Sequence, residues 1–279
     1  MKELVVDAHQ HFWDLERFDY SWMTPQLEVL RRNFMPEDLK PLLFAAGVDK
    51  TIVVQAHQSL AEAYWLLELA EAHDFIAGVV AWVGLTSSSL GNDLDGFERH
   101  PKFKGVRHLL HDEPDEAWML RSEVVAGFKE LERRGIPYDL LVRPQHLKYV
   151  PELRERCPRL NLVIDHIAKP PIAAGKMEDW PQDIEKVAAL PNVCCKLSGM
   201  ITEADWKGWT PQNLNPYVSH VVRCFGYDRL MFGSDWPVCS LAGSYQQVVD
   251  ALRTVLGPLS TDDAAKVWGR NARQFYQLS

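Results

Sequence analysis

The chain has 279 residues, 47% of them hydrophobic and 24% charged, a balance that suits a globular fold with a large core and excludes a disordered or fibrous chain. Its formal net charge of -8, without any long basic run, argues against a nucleic-acid partner, since phosphate binding calls for a concentrated cationic surface. Five cysteines without a C-x-x-C pair, no signal-like start and no apolar run of membrane length lead to the expectation of a cytoplasmic protein with no membrane partner.

In chain order, short runs rich in Val, Ile and Leu alternate with stretches of helical period. The first run, residues 3–13, contains VVDAHQHFW. Strand alternation puts Asp7, His9 and His11 on one face, and three polar groups on a dry face need a reason to be there. A long connection carrying Trp22 follows. The second run is 50–58, and a helix over 59–74 starts at Ser59, with Glu62 three residues on completing a capping-box pattern. Further runs are 75–85 and 103–113, then a helix over 119–135 ending at Gly135. The remaining runs are 137–144, 161–170, 192–199 and 228–237, with helices over 245–257 and 261–278. A loop after the seventh run holds Trp206 and Trp209.

Eight strands alternating with helices predict a single α/β domain over 1–279, a TIM-like (β/α)8 barrel. A doubly wound open sheet is the alternative, but no G-x-G-x-x-G follows any strand. Polar residues gather at the strand ends: His9 and His11; Gln55 and His57; Trp82; Arg107 and His108; Arg143; Asp165, His166 and Lys169; Lys196 and Ser198; Asp235 and Trp236. Barrel enzymes assemble their sites at this rim, so His9, His57, Arg107, Arg143, His166 and Asp235 are expected to converge on one mouth. Single residues keep plainer readings: His57 as a loop cap, Arg143 as half of an ion pair, Lys196 as a strand-end charge. His9, His11, His166 and Asp235 offer nitrogen and oxygen donors suited to one Zn²⁺, with Mn²⁺ also open.

The stretches DAHQHFWDLERFDYSWMTP (7–25), VIDHIAKP (163–170) and FGSDWPV (232–238) resemble the amidohydrolase superfamily. The likeness is to its amidohydrolase-2 branch of sugar lactonases, above all the hydrolases of L-fuconolactone and L-rhamnonolactone. The resemblance implies a distorted barrel and ring-opening hydrolysis of an aldonolactone. It matches His9 and His11 to a strand-one ligand pair, His166 to a later histidine and Asp235 to the strand-eight aspartate. The strand-four Lys or Glu and strand-five His of the wider superfamily are replaced here by GVRHLLH and Arg143, so one divalent ion is expected and not two. Relatives that work without metal leave a metal-free site open.

The expected substrate is thus a small sugar lactone. Asp235 is the expected general base, with His166 and Arg107 stabilising the oxyanion. Trp22, Trp82 and Trp236 are expected to face the sugar ring, with Gln55, His57, His108 and Arg143 binding its polar groups. Two rivals are a metal-dependent non-oxidative decarboxylase and a barrel that binds a sugar acid without turnover. The sequence does not specify an oligomeric state.

Overall fold

The computed structural model describes residues 3–278. Eight parallel strands pair in sequence order: β1 (Val6–Gln10), β2 (Lys50–Val54), β3 (Ile76–Ala81), β4 (Phe103–His108), β5 (Tyr138–Leu140), β6 (Leu162–Ile164), β7 (Val193–Leu197) and β8 (Leu230–Phe232). The ring closes beyond the regular strands, where Asp235 N donates to His9 O at 2.8 Å and His11 N to Trp236 O at 2.7 Å. Each strand is shorter than its apolar run, because the last residues of each run leave the ladder and become the rim.

Eight helices cover the strands: α1 (Pro36–Ala46), α2 (Leu60–Ala72), α3 (Leu90–Phe97), α4 (Ser122–Arg134), α5 (Val150–Arg156), α6 (Trp180–Ala188), α7 (Pro211–Phe225) and α8 (Tyr245–Leu256). The main core lies between strands and helices and is built from residues such as Phe12, Leu66, Phe128, Ile184 and Val249. Inside the barrel a smaller core joins Val6, Ala8, Ile52, Val54, Val80, Val163 and Met231 to Ala272 and Tyr276. The C-terminal segment packs into that interior. It is broken into α9 (Thr261–Ala265), a π turn (Lys266–Arg270) and α10 (Asn271–Phe275), where one helix over 261–278 was expected.

Two further expectations need correction. Asp7 does not share a face with His9 and His11. The β1–β2 register shifts between Asp7 and Gln10, a bulge that resets the alternation of side chains. Asp7 points outward to α8, accepting from Tyr245 Oη at 3.0 Å and Ser234 N at 2.8 Å. His9 crosses the barrel to reach groups from β4 and β7. Glu62 also departs from the capping box. Ser59 caps α2 by accepting from Glu62 N, but the Glu62 carboxylate turns to the backbone N–H groups of Ala56 and His57.

Candidate active site

A cavity of about 370 Å³ opens at the C-terminal ends of the strands. His11, Trp22, Arg107, Arg143, His166 and Asp235 line it, joined by His111, Lys169, Glu203 and Trp206 from the loops. The volume falls within the range of small-molecule sites.

Backbone geometry explains how two of these side chains arrive. His166, Ile167, Ala168 and Lys169 all have positive φ, a left-handed turn that costs about 1–2 kcal/mol per residue and aims the His166 ring at Asp235. Gly199 makes room for that ring. Its φ is +62°, and a Cβ there would lie 2.4 Å from His166 Nδ1. Asp235 is likewise left-handed, at φ 57°.

The imidazoles are oriented from behind. His11 Nδ1 lies 2.7 Å from Val54 O, so a neutral His11 donates there and turns the Nε2 lone pair inward. His9 Nδ1 lies 3.2 Å from Asp165 Oδ1, and His166 Nδ1 lies 2.9 Å from Ser198 Oγ. The inward Nε2 atoms of His11, His166 and His9 stand 3.4, 3.8 and 3.9 Å from Asp235 Oδ1. Burial lowers the pKa of all three histidines, which keeps them neutral at pH 7. Burial alone would raise Asp235, but the attraction of His166 and His11 in their protonated forms, together with the Lys169 cation, outweighs it, and the carboxyl sits below its ordinary value.

Beneath this cluster lies a layer of buried charge. Arg107 donates to Asp165 Oδ2 at 3.2 Å, to Gln55 O at 2.5 Å and to His9 Nε2 at 3.1 Å. Lys196 has no solvent exposure and reaches Asp139 Oδ2 at 2.5 Å and Asp165 Oδ1 at 3.0 Å. Tyr276 donates to Asp139 from below. Burial pushes Asp165 up, but Lys196, His9 and Arg107 reverse this and hold it well below the usual carboxylate range. Burial raises Asp139 despite the attraction of Lys196.

The donor set fits a metal. Ligands about 2.1 Å from a tetrahedral centre lie about 3.4 Å apart. His9 Nε2 and His11 Nε2 are 3.2 Å apart, and both stand within 3.9 Å of Asp235 Oδ1. Their outer nitrogens are held by a carboxylate and a carbonyl, as metal-binding histidines require.

Five residues expected near the substrate do not line this cavity. Gln55 is fully buried below it, its carbonyl held by Arg107. His57 bonds Ser59 and packs on Phe18 and Tyr20. His108 follows Arg107 on β4, so alternation turns it to the outer face. There it stacks on Trp118, bonds Glu113 and accepts from Trp82 Nε1. Trp236 packs edge-on against Phe12 and Phe34. Asp139 carries no signal in the sequence, and Lys196 stands among the polar strand ends with the plainer reading of a strand-end charge; a lone polar residue in a short strand gives little signal.

The geometry has counterparts among known proteins. The chain is 40% identical to L-fucono-1,5-lactonase of Burkholderia ambifaria, over 98% of this chain and 95% of that protein. It is 37% identical to L-fucono-1,5-lactonase of Burkholderia multivorans, over 100% and 97%. A crystal structure of an amidohydrolase from Burkholderia multivorans with bound zinc superposes with a TM-score of 0.93 at 36% identity, covering 99% of this chain and all of that one. The family model described as amidohydrolase matches residues 6–278, essentially the whole barrel, and with these relatives it establishes that the chain belongs to the amidohydrolase family.

Proposed function

We propose that the protein opens a sugar lactone, of the L-fuconate type, to the free sugar acid. The observation that carries this reading is the ionised Asp235 ringed by three neutral imidazoles at the floor of a cavity sized for one sugar. The L-fucono-1,5-lactonases at 40% and 37% identity support the substrate class. L-Fucose carries a methyl group in place of the hydroxymethyl group of an ordinary hexose, and Leu27, Leu109, Leu141, Val238 and Leu241 give the cavity an apolar wall to receive it.

His9, His11, His166 and Asp235 are the proposed holders of one Zn²⁺, which when bound would polarise the lactone carbonyl and acidify water. Asp235 takes the proton of the attacking water and returns it to the ring oxygen as the ester bond breaks. Arg107, 3.1 Å from His9 Nε2 and facing the cavity, stabilises the oxyanion. Trp22, tethered by its Nε1 to Ala56 O, offers a face to the ring, and Arg143 stands at the rim for outlying polar groups.

Charge balance supports a single ion. The buried layer holds two cations, Arg107 and Lys196, against two carboxylates, Asp139 and Asp165. That leaves Asp235 as the carboxylate facing the histidine cluster, since Glu203, which also lines the cavity, is paired with Lys169 at 2.8 Å. Five free cysteines, and no helix among the described residues long and apolar enough to cross a membrane, support a cytoplasmic location.

Acid release from a panel of 1,4- and 1,5-aldonolactones tests the reading. Turnover of L-fuconolactone is expected. Carbon dioxide from an aromatic acid would make the protein a decarboxylase, and saturable binding without turnover would make it a binding barrel.

A further inference from the structure

Lys196 has a setting that lactone opening does not require. Its Nζ lies 2.5 Å from Asp139 Oδ2, 3.0 Å from Asp165 Oδ1 and 3.1 Å from His9 Nδ1. The two carboxylates, from β5 and the end of β6, accept from the ammonium, the His9 ring from β1 stands beside it, and all three residues are fully buried. Stability does not account for the arrangement, because a buried ion pair rarely outperforms well-packed apolar residues of the same size. Two ligand groups also stand side by side here. His9, His11 and Asp235 form one, and His9, Asp165 and His166 the other, each with donor atoms within 4.8 Å of one another. They share His9, and the ammonium of Lys196 lies against the second.

We propose that the Lys196 ammonium fills a second cation position, bounded by Asp139, Asp165 and His9, and so limits this site to one divalent ion. The lysine is tethered to β7, so its amino group cannot dissociate from the site as a bound ion can. It neutralises the carboxylates that would otherwise attract a second ion. It also repels any dication placed beside it at this range. Arg107 completes the neutralisation from β4, bonding the other oxygen of Asp165. Lys196 is therefore a determinant of metal stoichiometry and not a group that meets the substrate.

The inference rests on the one-ion reading of the main site, and the test separates the two. Wild type, Lys196→Ala and Lys196→Arg are dialysed against zinc, and bound metal per chain is measured directly. The wild-type count tests the one-ion reading, for which one zinc per chain is expected. The increment tests the inference. Lys196→Ala, which removes the charge and vacates its volume, is expected to bind one zinc more than wild type. Lys196→Arg, which keeps the charge, is expected to match wild type. Equal counts for wild type and Lys196→Ala would overturn the inference, as would two tightly bound zinc ions in wild type. If Lys196→Ala folds only with zinc present and then holds the extra ion, the inference is supported. If it does not fold even in excess zinc, the inference fails, since an ion able to take the ammonium's place would have restored the fold.

Discussion

His9 Nε2 and His11 Nε2 face each other at 3.2 Å. His11 spends its one ring proton on Val54 O, and His9 Nδ1 stands against the Asp165 carboxylate. With that proton on Nδ1, two lone pairs and the Asp235 carboxylate converge on one point, with only Arg107 to supply a donor. Such a concentration of acceptors calls for a cation.

Asp165 should therefore govern metal affinity without reaching the cavity. Asp165→Asn keeps the shape but removes the charge that orients His9. Zinc affinity is expected to fall about 10–100-fold, the usual effect of losing the partner of a ligating histidine. Competition with a chromophoric chelator measures it, and unchanged affinity would detach Asp165 from the site.

Gly199 should be intolerant of any side chain. A Cβ there would meet His166 Nδ1 at 2.4 Å, on a backbone with φ +62°. Gly199→Ala is expected to cost about 1–3 kcal/mol of stability and to reduce kcat by displacing His166. Chemical denaturation together with lactone kinetics reads both effects. Wild-type kinetics in this variant would show that the His166 ring has freedom the structure does not suggest.

Glu62 should make stability fall with rising pH. Burial raises its pKa from 4.5 to about 8, so the folded chain holds a proton that the unfolded chain releases from about pH 4.5 upward. The folded state then binds more protons between those values, and stability declines across that window and levels off above it. Glu62→Gln carries no such charge. Relative to wild type it should gain on the order of 4 kcal/mol between pH 5 and pH 9. Parallel urea titrations at the two pH values provide the comparison, and an unchanged difference would mean that Glu62 is solvated or paired when ionised.

The alternation of apolar runs with helical stretches carried the barrel, because strands covered on both faces must be apolar throughout. The rim was legible for a related reason: His11, Arg107, Arg143, His166 and Asp235 stand where apolar runs end. What escaped was whatever breaks a period. The bulge in β1 separates Asp7 from His9, and no local residue type announces it. The left-handed turn over His166–Lys169 contains no glycine to mark it. Asp139 and Lys196 pair across the barrel, 57 residues apart, through contacts that only the closed ring creates. Gln55, His57, Trp82, His108 and Trp236 were grouped with the rim by position alone, while their directions depend on alternation within the ladder and on loop packing.

The measurement closest to the central claim is kcat for lactone hydrolysis by wild type and Asp235→Asn, with zinc content determined on the same samples. Asparagine keeps the shape of the side chain but cannot accept the proton of water. The account predicts that kcat falls by about 10²–10⁴-fold, with KM little changed and part of the zinc retained. Near-normal turnover by Asp235→Asn would contradict it, leaving the carboxylate a structural role and the lactone opened by another group.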